Sequence, residues 1–275
     1  MSDLVLRPRS ATELVDAAFQ VYRRAPLQFM VAVAAVYVPW LVIQLAFNVS
    51  ITPTNLPDSG QIAWLSLAGI LIFAIAGGVT ALIARDVYLG QPLDVAAEFR
   101  ALLPRVVTLI LASVAAVVII AIGTVVAVIP AGLIFAVTGG QVAAVVAASV
   151  LFIIAGLYLF ARFYAVRQIV VLEDAGVGRA LARASALSKG LRFHIIGTLF
   201  LIGVLTIAVD VGAMLMLGMI PSAVLIRLGS TALAVIVGPL FGITETVLYY
   251  DLRIRKEAFD VEYLAGAVEP SVIPA

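Results

Sequence analysis

Polar residues in this chain gather in short clusters, and long apolar runs separate the clusters. Six runs, 27–47, 62–83, 106–128, 141–163, 193–218 and 231–250, are nearly free of charge. Each reaches the about 20 residues that an α-helix needs to cross a bilayer. No stretch alternates apolar and polar residues with the period of two that marks a membrane β-barrel. A helix satisfies its own backbone polar groups in hydrocarbon. The pattern therefore predicts an all-α fold: a polytopic membrane helical bundle with six transmembrane helices. The chain reads as one integral membrane domain over 1–275 with a short tail at 256–275.

The polar clusters carry a second pattern. Ahead of the first run, SATELVDAAFQVYRRAP reads as a short amphipathic helix, with Ser10 and Glu13 forming a capping box and Leu14, Ala17, Ala18 and Val21 on one face. Ahead of the third run, QPLDVAAEFRALLPR repeats the design, with Val95, Phe99 and Leu102 as its stripe and Pro104 as its end. Ahead of the fifth, GVGRALARASALSKG carries Val177, Leu181, Ala184 and Leu187, with Gly190 as its stop. The exits from the even-numbered runs match as well: ARDVY at 84–88, ARFYAVR at 161–167 and YYDLRIR at 249–255. The expectation is a threefold repeat of interfacial helix plus hairpin, in units at roughly 10–90, 91–176 and 177–255. Aromatic and basic residues also anchor any helix at a membrane boundary, so the exits alone do not establish the repeat.

Charge then orients the bundle. Of the 17 Lys and Arg residues, only Arg227 lies in the second, fourth or sixth position of the series of segments that flank and join the runs; the other 16, with Arg162 counted at the edge of run four, lie before run one, between two and three, between four and five, or after six. The positive-inside rule predicts both termini in the cytoplasm of a multi-pass protein of the bacterial cytoplasmic (inner) membrane. The loop at 48–60 is too small for a folded outer domain. Composition agrees: 64% of residues are hydrophobic and 12% charged, with a mean hydropathy of +1.18, against roughly a quarter charged in soluble domains. A net charge of +1 gives no reason to expect nucleic acid. No cysteine is present, and one histidine cannot build a multi-histidine metal site. The charged first 25 residues lack the apolar core of a cleaved signal, so the first run is expected to direct insertion.

Three segments, LRPRSATELVDAAFQVYRR, RALARASALSKGLRFHIIGTL and LYYDLRIRKEAFDVEYLA, together resemble the membrane-domain family of glycerophosphoryl diester phosphodiesterases, in which that domain precedes a catalytic barrel, and similar stand-alone bacterial membrane proteins. The resemblance spans nearly the whole chain and implies a polytopic membrane fold. It does not imply phosphodiesterase chemistry here, which needs a soluble barrel with paired histidines and carboxylates around a divalent metal. It transfers no site residues.

Two acids fall inside the apolar runs, where a charge costs about 2.5–3.5 kcal/mol on insertion scales and marks a candidate polar site. Asp210 in the fifth run lies about 27 Å beyond Arg192 along a helix. It is either functional or a boundary carboxylate reached by water or by Arg227. Glu245 in the sixth run, about 12 Å from Arg253, follows Gly238, Pro239 and Gly242, which invite a kink. It either faces a water-filled cavity, forms a structural ion pair with Arg85 or Arg162, or snorkels toward the interface. Their depths differ by about 15 Å, so the two acids are not expected to pair. Arg179, Arg183, Lys189 and Arg192 are candidate contacts for anionic lipid head groups, or serve topology alone. His194 beside them either senses pH or is solvated. Gly77, Gly78, Gly123, Gly197 and Gly203 are expected at close helix contacts.

No nucleophile–base–acid set, phosphate loop, HExxH or metal-ligand spacing is visible. The expected function is a non-catalytic membrane protein, a scaffold or accessory module, not an enzyme, with no cofactor and no metal. Its expected partners are membrane lipids and another membrane protein. The alternative is a small-solute or lipid transporter that uses Glu245 in a kinked helix.

Overall fold

A computed structural model describes residues 7–46, 59–138 and 140–261. Of the described residues 89% are helical, and no strand occurs among them. Helix α1 (Ala11–Arg24) precedes two long helices, α2 (Pro26–Ala46) and α3 (Ser59–Leu89). Helix α4 (Val95–Leu102) precedes α5 (Val106–Thr138) and α6 (Gln141–Phe163). A short helix α7 (Val166–Leu172) intervenes, and then α8 (Val177–Ser188) precedes α9 (Arg192–Leu217) and α10 (Ala223–Glu257). Six of these are long and apolar enough to cross a membrane. Most of the loop expected at 48–60, and the tail from 262 on, lie outside the described residues.

Local chemistry explains the short helices. Ser10 accepts from the Glu13 amide while the Glu13 carboxylate accepts from the Ser10 amide, which completes the capping box of α1. Asp94 caps α4 by accepting from the Ala96 amide at 2.9 Å. Pro104 follows α4 in a 3-10 turn over Leu103–Arg105. Gly190, at φ +82°, turns the chain from α8 into α9 in a left-handed conformation that favours glycine.

Two contacts fix the course of α1. The Arg9 amide donates to Asp251 Oδ1 at 2.7 Å, and the Tyr22 hydroxyl donates to the Ile236 carbonyl at 2.9 Å. These anchors are 13 residues apart on one chain segment and 15 on the other, about 20 Å and 22 Å along a helix. Helix α1 therefore lies lengthwise and antiparallel on α10, with its apolar face buried. The second anchor falls next to Pro239, whose missing N–H loosens carbonyls three and four residues earlier.

Several long helices overrun the apolar windows. Helices α5 and α10 have 33 and 35 residues, so each is about 50 Å long, well beyond a hydrocarbon core of about 30 Å. Helix α10 continues through its polar exit because i,i+4 ion pairs, Arg253–Glu257 at 3.1 Å and Arg255–Asp251 at 2.7 Å, support its last turns.

The tightly packed core sits at the end of the bundle where the basic clusters lie. Leu14, Phe29, Leu82, Ile169, Ile195 and Tyr249 are fully buried there. Toward the other end the helices offer apolar side chains outward, among them Val125, Ile129, Val142, Val146, Ile207 and Val211. Hydrocarbon is as apolar as these side chains, so it gives the distal halves no drive to close against each other.

Candidate functional site

The site begins at a break in a helix. Helices α3 and α10 run straight through the aromatic and basic exits, whereas α6 stops at Phe163 and the chain turns at Tyr164 and Ala165. Neither glycine nor proline causes the break. The chain re-enters as α7, in which Val166 to Val171 are all buried. This turn carries Arg167 inward. Counted with the loop cations, Arg167 is instead a buried side chain inside the bundle.

There its guanidinium forms an ion pair with Glu245 on α10, and both side chains are almost entirely buried. Its Nη1 donates to the Phe73 carbonyl at 3.2 Å, and its Cζ stands 4.1 Å from the centre of the Phe73 ring. Gly77 leaves the space for this approach: a Cβ on it would stand 2.6 Å from Arg167 Nη1. Gln168 Nε2 donates to the same Glu245 oxygen at 3.3 Å. Thus α3, α7 and α10 meet through one cation. The expected partners of Glu245 are occupied elsewhere. Arg85 bonds Asp86 at 2.7 Å and Glu98 at 3.3 Å, and Arg162 donates to Ser185 at 2.8 Å.

The pair also forms a wall between two cavities. One, of about 240 Å³, is lined by Phe73, Ser113, Phe160, Tyr164, Arg167 and Glu245 among others. Its rim includes Phe73 and Phe160, which face outward. The buried hydroxyls of Ser113 and Tyr164 beside it, and the Oε1 of Gln168, have no hydrogen-bond partner. The other cavity, of about 50 Å³, lies against Val33, Tyr37, Thr80 and Gly238, with Arg167 and Glu245 on its shared side. That volume fits one or two water molecules. Glu245 therefore both contacts an arginine and borders a cavity.

The other candidates are dispersed. Asp210 is exposed on the distal half of α9. It makes no ion pair with Arg227, which donates to the Gln44 carbonyl at 3.1 Å. His194 is not simply solvated: its Nε2 stands 3.0 Å from Asp251 Oδ2. Asp251 also binds Arg255 and the Arg9 amide, and Arg255 returns to the Arg9 carbonyl at 2.6 Å. Asp251 thereby ties the N-terminal segment, α9 and α10 together. Its signal in the sequence is the acid four residues before Arg255.

The four basic candidates divide. Arg183 is clasped by Glu257 and by Glu173, the latter at 3.0 Å, and these carboxylates, Glu257 foremost, raise its pKa above the ordinary value. Glu173 also accepts from the Tyr249 hydroxyl at 2.7 Å. Arg179 is exposed and donates to the Asp174 carbonyl at 3.3 Å. Lys189 is exposed, and Arg192 stacks over Tyr158 at 4.4 Å. Of the glycines, Gly78 and Gly123 do meet neighbouring helices, through Leu109 and Leu159, but Gly197 and Gly203 have nothing within 4 Å of a Cβ position. Among the described residues no cluster of three His, Asp or Glu could hold a metal ion.

Fold and site together define a class, an all-helical membrane protein with a buried ion pair at the centre of its packed end. No family model matches the chain, and no curated protein or solved structure matches it either.

Proposed function

We propose that this is a non-catalytic integral membrane protein, a scaffold or accessory module of the bacterial cytoplasmic membrane, with both termini and the basic end in the cytoplasm. The observation that carries this reading is the engagement of Glu245. The deepest carboxylate of the packed core is held by Arg167 and Gln168, which suits a clamp between helices better than a group that must change its bonding in every cycle. The basic asymmetry supports the orientation. The likeness to the membrane domain of glycerophosphoryl diester phosphodiesterases belongs to this proposal as a kinship of membrane fold, without the barrel's chemistry.

A second reading, a small-solute or lipid transporter, is favoured by one feature: the 240 Å³ cavity that borders Glu245 and has outward-facing apolar residues on its rim.

The double variant Arg167→Met/Glu245→Leu separates the two readings, because an apolar pair of similar size replaces a buried ion pair with little loss of stability. For a scaffold, in-cell cross-linking recovers the same stoichiometric membrane partner from wild type and double variant. Proteoliposomes of either protein then scramble fluorescent lipid no faster than empty vesicles. Scrambling by the wild type that disappears in a folded double variant would replace the scaffold reading with transport.

A further inference from the structure

At the packed end several arginines meet a carboxylate. Arg85, Arg105, Arg167, Arg183, Arg253 and Arg255 each do so. One corner differs. Where α6, α8 and α9 converge, Arg162, Lys189 and Arg192 face no carboxylate among the described residues. Arg162 bonds the neutral Ser185 at 2.8 Å, Lys189 projects outward, and Arg192 rests on the Tyr158 ring with a buried Nε that has no hydrogen-bond partner.

Immediately beside this corner is a groove of about 420 Å³ between α6 and α9. Arg192 and Tyr158 stand at one side of it, and Ile154, Leu157, Phe193 and Ile196 supply the apolar wall. Ile154 lies one helical turn, about 6 Å, further into the apolar run than Tyr158. Phe193 is 92% exposed, so the groove opens sideways, away from the bundle. A cationic corner without counterions, continuous with an apolar channel that leads toward the bilayer interior, matches a molecule with a negative head and a hydrocarbon tail.

We propose that this groove is a binding site for an anionic glycerophospholipid. The phosphate seats against Arg192 and Lys189, with Arg162 on the next turn of α6, and an acyl chain lies along Ile154, Leu157 and Ile196. Basic pockets between membrane helices on the cytoplasmic side recognise such head groups through the same charge. The site bridges the second and third hairpins, so a bound lipid acts as a wedge between them. Arg179 and Arg183 take no part: one turns to a backbone carbonyl and the other is saturated by Glu173 and Glu257. The inference rests on membrane residence, and it does not depend on whether the module is a scaffold or a transporter.

The test is native mass spectrometry of the full chain in detergent, titrated with phosphatidylglycerol or phosphatidylcholine of matched acyl chains. The wild type retains phosphatidylglycerol preferentially. Lys189→Gln/Arg192→Gln weakens that retention roughly 30-fold, the sum of two surface cations, and leaves phosphatidylcholine unchanged. Arg179→Gln behaves as wild type. Should the double variant fail to fold, Lys189→Glu, at an exposed position, carries the same comparison. Equal retention of both lipids by the wild type overturns the proposal, as does an undiminished preference in the double variant or an equal loss in Arg179→Gln. A chain that leaves the membrane fraction without detergent would defeat membrane residence itself, which is a different failure from absent lipid selectivity.

Discussion

Arg167 and Glu245 depend on each other. Removing one partner of a buried ion pair leaves an uncompensated charge and typically costs about 3–5 kcal/mol, whereas replacing both with apolar groups is often neutral. Glu245→Gln is therefore expected to lower the unfolding midpoint in detergent far more than Arg167→Met/Glu245→Leu, as thermal unfolding of the purified variants will read directly. A single variant as stable as the double would mean that Arg167 finds other compensation. Half of this pair was legible in the sequence. Glu245 stands out as an acid in an apolar run, and a carboxylate there demands an explanation. Arg167 was hidden because a count of loop cations treats every arginine between spans as solvated. The clue was its setting: AVRQIVVL is too apolar for a loop at a water boundary. Nothing local forecasts the turn at Tyr164 and Ala165; the tertiary partner on α10 draws the chain inward.

At the scale of elements, α1 shows local and tertiary signals in agreement. Its capping box was readable from Ser10 and Glu13, and its apolar face from the spacing of Leu14, Ala17, Ala18 and Val21. Its lengthwise seat on α10 was not, because amphipathicity identifies a buried face without saying what buries it. Glu13 accepts from the Ser10 amide first and from Arg7 next, which lowers its pKa from the usual 4.5 to about 2. A carboxylate with a depressed folded pKa contributes its stabilisation above the unfolded value and loses it as pH falls through the folded one. Amide-exchange protection in the first turn of α1 should hold at pH 5 and above, and weaken as pH drops from about 4.5 toward 2. Ser10→Ala should remove about 1 kcal/mol of helix stability, and Glu13→Gln, which removes the titrating carboxylate, should abolish that pH dependence. Unchanged protection at pH 2 would show that the box does not hold the turn. The long helices teach the converse lesson. The apolar windows locate α5 and α10 but are shorter than the helices; at the end of α10, hydropathy cannot see that Arg–acid pairs at i,i+4 carry the helix on into a polar layer.

Across the whole molecule, two regimes share one chain. At one end, ion pairs and buried aromatics join the N-terminal segment, α3, α7, α8 and α10 into a connected layer, with Asp251 and Glu257 as its hubs. At the other end, long apolar helices present Val, Ile and Leu outward. Water as solvent would not tolerate that surface, whereas a bilayer would; the contrast in packing and the contrast in charge follow the same axis. The proposed orientation makes a sharp demand on this axis, and the absence of cysteine from the chain gives a clean background for testing it. Met219, exposed in the turn between α9 and α10, and Arg179, exposed on α8, lie at opposite ends of the bundle. The most direct measurement labels single-cysteine variants at these two positions in intact cells with a membrane-impermeant maleimide. The account predicts that Met219→Cys reacts at once and Arg179→Cys only after permeabilisation; labelling of Arg179→Cys in intact cells, or of neither residue until the membrane is opened, would contradict it.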